Sequence, residues 1–121
     1  MRTILTVGNN QVREIVKKIF AKLDFFCQFL EAENKNPALQ ALETNRVSLI
    51  LLDWETAELD CMDLLRRARS MPGYREVPII MVTSEVAKYS VVEALQNGIT
   101  DYIEKPIDEK VLTEKFLEIL L

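Results

Sequence analysis

The sequence predicts an α/β fold, a doubly wound parallel sheet of five strands alternating with five helices, and three observations carry that expectation. Short apolar runs stop at a single polar residue, as Val47-Ser-Leu-Ile-Leu-Leu stops at Asp53. Longer segments between them repeat their apolar residues at helical spacing. Gly, Pro and Asn stand at the junctions, where turns and helix caps require them. A strand of a parallel sheet covered on both faces has no polar side, so its first polar side chain appears where the strand leaves the core. Asp53 sits at that exit, in the crevice where open α/β sheets place their ligand sites.

In chain order, a first strand is expected over residues 2–8 and leads through Asn9-Asn10 into a helix with Val12, Ile15, Val16, Ile19, Phe20 and Leu23 on one face. Phe25 to Leu30, rich in aromatics, reads as a second strand ending at Glu31. Asn36-Pro37 reads as the N-cap and first position of a short helix running to Glu43. The third strand, 47–53, follows. After a loop, Cys61, Leu64, Leu65, Ala68 and Met71 form a helical stripe closed by Pro72-Gly73. A fourth strand spans Val77 to Thr83, and a helix from Glu85 to Asn97 ends at Gly98, which takes the left-handed C-cap conformation without steric cost. Asp101 to Glu104 is a short fifth strand. Asp108 caps a last helix whose Leu112, Phe116, Ile119 and Leu120 face inward.

Composition narrows the function. The 121 residues, 49% of them hydrophobic, are expected to form one domain, 1–121. A net charge of −4 with scattered basic residues gives no drive toward nucleic acid, and no run is long and apolar enough for a membrane span or signal segment. The chain is expected to be cytoplasmic, with no direct nucleic-acid or membrane partner. It contains no His, and Cys27 and Cys61 lack metal-type spacing, so His-dependent hydrolase triads and zinc sites are excluded. No phosphate-cradling Gly-rich or Ser/Thr-rich loop follows the first strand, which argues against a flavin site.

Asp53, Thr83 and Lys105 end or follow the third, fourth and fifth strands, so three different groups converge on one sheet edge. A carboxylate can attack phosphorus, an ammonium can hold a phosphoryl oxygen, and a hydroxyl can donate to another. The sequence resembles the receiver domains of two-component response regulators over essentially its whole length. The resemblance rests on Leu49-Ile-Leu-Leu-Asp53, Leu64-Leu-Arg-Arg-Ala-Arg69, Val77-Pro-Ile-Ile-Met-Val-Thr-Ser84, Ala94 to Gly98, and Asp101-Tyr-Ile-Glu-Lys-Pro106. It implies a flavodoxin-like sheet of order 2-1-3-4-5, with Asp53 as phosphoacceptor and Thr83 as switch hydroxyl. It further implies Tyr102 as a moving aromatic and Lys105 as phosphate-binding cation before a cis Pro106. The implied partners are a histidine kinase or phosphotransfer protein, and an output partner or weak homodimer on the face of the fourth helix, fifth strand and fifth helix, which carries Tyr89 and Tyr102.

The chain also departs from that family. Receivers carry an acidic pair at the end of the first strand, where this chain has Gly8-Asn9, or Asn9-Asn10 if the alignment slips by one, and Ala57, Glu58 and Cys61 stand where receivers commonly have Pro, Gly and Gly. The metal ligands implied are Asp53, the Glu55 backbone carbonyl and Asn9, a set whose Mg²⁺ site is weak or lost. Mg²⁺ should therefore barely quench Trp54, the only Trp. Two functions follow: a receiver that accepts a phosphoryl group on Asp53 and switches a partner-binding face, or a pseudo-receiver that binds partners without phosphorylation. Neither is a metabolic enzyme. Replacing Gly8 and Asn9 by Asp should raise Mg²⁺ affinity with a slight loss of stability.

Overall fold

A computed structural model of the chain describes residues 2–22, 27–55, 60–84 and 88–120. The elements follow in the order β1 (Arg2–Val7), α1 (Asn10–Ala21), β2 (Cys27–Ala32), α2 (Lys35–Thr44), β3 (Leu49–Asp53), α3 (Cys61–Ser70), β4 (Ile79–Thr83), α4 (Lys88–Gln96), β5 (Asp101–Glu104) and α5 (Glu109–Leu120). All five strands pair in parallel in the order β2-β1-β3-β4-β5. Among the described residues no helix is long and apolar enough to cross a membrane.

Side chains alternate across the sheet, and the inner strands β1, β3 and β4 therefore feed two cores. Ile4, Leu49, Leu51 and Ile80 point to one face and pack with Val16, Phe20, Leu112 and Phe116 of α1 and α5. Leu5, Val7, Ile50, Leu52, Ile79 and Met81 point to the other and meet Leu42, Leu64, Leu65, Ala68 and Ala94 of α2, α3 and α4. Every residue of β3 and β4 is buried, as their unbroken apolar runs require.

The edges of the sheet differ most from expectation. β2 runs to Ala32, past Glu31, because it is an edge strand with a half-exposed face. There Glu31 keeps water and pairs with Lys17 at 3.0 Å. Phe25 and Leu23 lie outside the described residues, as does the expected start of α4 at Glu85. α2 begins at Lys35 after Asn34, so Pro37 is its third residue. The first four N–H groups of a helix have no partner within it, so Pro costs no hydrogen bond there. β3 and β4 each start two residues later than the apolar runs suggest, at Leu49 and Ile79. Gly98, at φ +109°, ends α4 while the Ile99 N–H donates to the Ala94 carbonyl at 3.1 Å.

Tyr74 pins the opposite end of the sheet from Asp53. Its buried hydroxyl lies 2.7 Å from the Leu42 carbonyl and 2.6 Å from that of Asn45, and accepts from the Val47 N–H at 3.2 Å. Tyr74→Phe strands these backbone groups away from water. It is expected to cost about 1–3 kcal/mol, read as a lower urea midpoint with unchanged slope.

Candidate functional site

Asp53 is the last residue of β3, and burial is complete: its relative exposure is 0%. A buried carboxylate needs a partner. The Lys105 ammonium, one residue beyond β5, lies 2.8 Å from Asp53 Oδ1, and the Glu55 N–H donates to the same oxygen at 3.2 Å. Lys105 is placed by its own backbone, whose N–H donates to the Thr83 carbonyl at 2.8 Å and so continues the β4–β5 ladder. The Lys105–Pro106 peptide bond is cis.

Thr83, the last residue of β4, is 3% exposed, and its hydroxyl donates to Glu55 Oε1 at 3.1 Å. The neighbouring Ser84 adds its backbone N–H to Oε1 and its hydroxyl to Oε2, the latter at 2.6 Å. One exposed carboxylate thus crosses from the β3 exit to the β4 exit and takes three donors. Those bonds, Ser84's hydroxyl first and its N–H next, with Thr83 and the Lys105 charge adding, hold the Glu55 carboxyl down at about 2. A depressed folded-state value means that this stabilisation is complete above the ordinary carboxyl value of 4.5 and is lost as pH falls from there through about 2. A carboxyl-carbon NMR titration should place Glu55 below the other glutamates, and Ser84→Ala should return it toward the ordinary range.

Asn9 has a structural task that the sequence reading did not assign. Its Oδ1 accepts from the Val12 N–H at 2.9 Å, making it the N-cap of α1. Gly8, before it, has φ +154°, and a Cβ built there would stand 2.4 Å from the Cβ of Asp53. Cys61, the first residue of α3, is buried with its thiol 3.4 Å from the Asp53 carbonyl. Burial, then the charges of Asp53 and Asp60, push that thiol up to about 12, so it stays protonated. Asp60 caps α3 through the Asp63 N–H at 3.1 Å. Ala57 and Glu58 lie outside the described residues.

Mg²⁺ favours near-octahedral oxygen coordination with one or two carboxylates. Several oxygens here already have partners: Asp53 Oδ1 has Lys105, Asn9 Oδ1 caps its helix, and both Glu55 carboxylate oxygens accept from Thr83 and Ser84. Among the described residues no group of three or more Asp, Glu, Cys or His gathers to hold a metal ion. The set does not fit a strong Mg²⁺ site.

Tyr102 stands away from this cluster, on β5 and 36% exposed, beside an open cleft of about 650 Å³ also lined by Lys105, Pro106 and Val111. Val92 and Leu95 of α4 are exposed as well. The side chain of Tyr89 lies outside the described residues.

A parallel sheet in this strand order, with five helices, is the flavodoxin-like receiver fold of two-component signalling. The chain belongs to the response regulator receiver domain family, whose model matches residues 4–117. It is 35% identical to the chemotaxis protein CheY1 of Helicobacter pylori, with 100% of this chain and 97% of that protein covered. Among solved structures, the Vibrio cholerae chemotaxis protein CheY4 superposes with TM-score 0.89 at 20% identity, covering 98% of each chain. The receiver domain of a Pseudomonas aeruginosa sensor histidine kinase, determined with a magnesium ion coordinated in its active site cleft, gives TM-score 0.85 at 25% identity, covering 98% of this chain and 97% of that one.

Sequence reasoning assigned Glu55 a backbone role and missed its side chain, and it did not single out Ser84. The available signal was a carboxylate two residues beyond a strand end, facing a second strand that ends in two hydroxyls.

Proposed function

We propose that this receiver accepts a phosphoryl group on Asp53 from a histidine kinase, a phosphotransfer protein or a small phosphodonor. The observation that carries the reading is the Lys105 ammonium 2.8 Å from a fully buried carboxylate at the sheet's exit edge. An Asp53 oxygen attacks phosphorus, the bond from phosphorus to the leaving group breaks, and the leaving group departs with the electron pair. The product is an acyl phosphate. Lys105 moves from the carboxylate to a phosphoryl oxygen, and Thr83 turns its hydroxyl from Glu55 to another. Tyr102 follows Thr83 and reshapes the face of α4, β5 and α5, on which a partner or second copy docks. Mg²⁺, which the Pseudomonas relative coordinates, would supply positive charge at the phosphoryl oxygens. Here it is held weakly, and Lys105 carries more of that charge.

A second reading, a pseudo-receiver that docks partners without phosphorylation, is favoured by one specific observation. The amide of Asn9 and the hydroxyl of Thr83 are both engaged elsewhere. Intact mass after incubation with acetyl phosphate and Mg²⁺ separates the two. The receiver reading expects a phosphoryl-sized gain that Asp53→Ala abolishes. No gain at any donor concentration leaves the pseudo-receiver.

A further inference from the structure

The groups that would receive a phosphoryl anion at this edge are Lys105, the Thr83 hydroxyl, and the N–H and hydroxyl of Ser84. Three of these four donate to one carboxylate, that of Glu55. The fourth, Lys105, pairs with Asp53 at 2.8 Å. Each of these groups thus already faces an anion that belongs to the chain. Glu55 is exposed and follows Trp54 in a turn, so its side chain has open solvent into which to swing. Its backbone N–H stays fixed on Asp53 Oδ1 at 3.2 Å. The backbone is anchored, and the carboxylate is the movable part.

We infer that the Glu55 carboxylate is a built-in competitor for phosphate, which fills the anion donors of β4 and must leave before a phosphoryl group can be held there. The inference rests on the reading that Asp53 takes that group, and it assigns the side chain at position 55 a role in setting how readily the site takes an anion. A carboxylate beside an incoming phosphate also repels it, so Glu55 opposes the anion twice, by occupying its donors and by its charge. Removing the side chain frees three donors at once.

Orthophosphate binding, followed as the rise in melting temperature against chloride of matched ionic strength, tests this without phosphoryl transfer. Wild type should respond little. Glu55→Ala should bind phosphate about tenfold more tightly, since one nearby like charge at a screened surface is worth roughly that factor. Glu55→Gln, which keeps the length and loses the charge, should fall between. Adding Lys105→Ala to Glu55→Ala should abolish the gain, which places the anion at this edge. Acetyl-phosphate labelling of Asp53 should quicken by a similar factor in Glu55→Ala. Equal phosphate responses in wild type and Glu55→Ala would overturn the inference, and so would slower labelling, which would mean that Glu55 assists the transfer. A phosphate gain with no labelling of Asp53 in any variant supports the internal competitor and discards the receiver reading.

Discussion

Gly8→Ala should destabilise the fold by about 3–5 kcal/mol, the sum of a strained backbone and a steric overlap in the core. Residue 8 adopts φ +154°, which L side chains rarely take, and the added Cβ would meet Asp53 Cβ at 2.4 Å and Oδ2 at 3.1 Å. The Asp53 Cβ is fixed to the end of a fully buried strand, so relief requires shifting β3 against β1. Domains of this size are stable by only about 5–15 kcal/mol, and a longer side chain such as Asp should leave little folded protein. The double replacement of Gly8 and Asn9 by Asp, expected from sequence to cost slightly, should on this geometry cost much more, for a steric reason. Asn9→Asp alone keeps the α1 cap, because Asp caps as well as Asn, and should lie within about 0.5 kcal/mol of wild type. Urea unfolding of the two single variants checks both statements.

Lys105→Ala and Asp53→Ala should differ sharply although they remove the two halves of one ion pair. The Asp53 side chain is 0% exposed and that of Lys105 is 20% exposed. Losing Lys105 leaves a carboxylate in the core without its cation, which should cost about 2–4 kcal/mol, below the range for fully buried pairs because Lys105 reaches water. Losing Asp53 lets the ammonium turn outward, and the cost should be about 1 kcal/mol or less. Asp53→Asn in the Lys105→Ala background should recover most of the loss. Denaturant midpoints for wild type, Lys105→Ala, Asp53→Ala and the Asp53→Ala/Lys105→Ala double variant form a double-mutant cycle, and equal costs for the two single variants would show that Asp53 is better solvated than its burial indicates.

The central strands were legible because burial on both faces leaves an unbroken apolar run, as in β3 and β4. β2 was legible as a strand and not in its limits, since its edge position lets Glu31 continue it and apolar content no longer marks the end. Asp53, Thr83 and Lys105 could be found from sequence because each marks the end of a strand, and the sheet brings such ends together. The Glu55 contacts could not, because they join residues 28 and 29 positions apart through a side chain whose direction no spacing encodes. The cap made by Asn9 was missed for a related reason: an amide after a strand reads equally as a metal oxygen or a helix cap, and the Val12 N–H it accepts from is placed by the fold.

At the far end of the sheet, the last turn of α3 carries Arg69, whose guanidinium donates to the carbonyls of Gly98 at 2.6 and 2.9 Å, Tyr74 at 2.9 Å and Val77 at 2.6 Å. Val77 and Gly98 lead into β4 and β5, so one planar group fastens the starts of both strands to the same helix. The starts of β4 and β5 therefore share one anchor beside the Ile80–Asp101 rung of their ladder. Among the amides of the β4–β5 ladder, those nearest Arg69 should be the slowest to exchange.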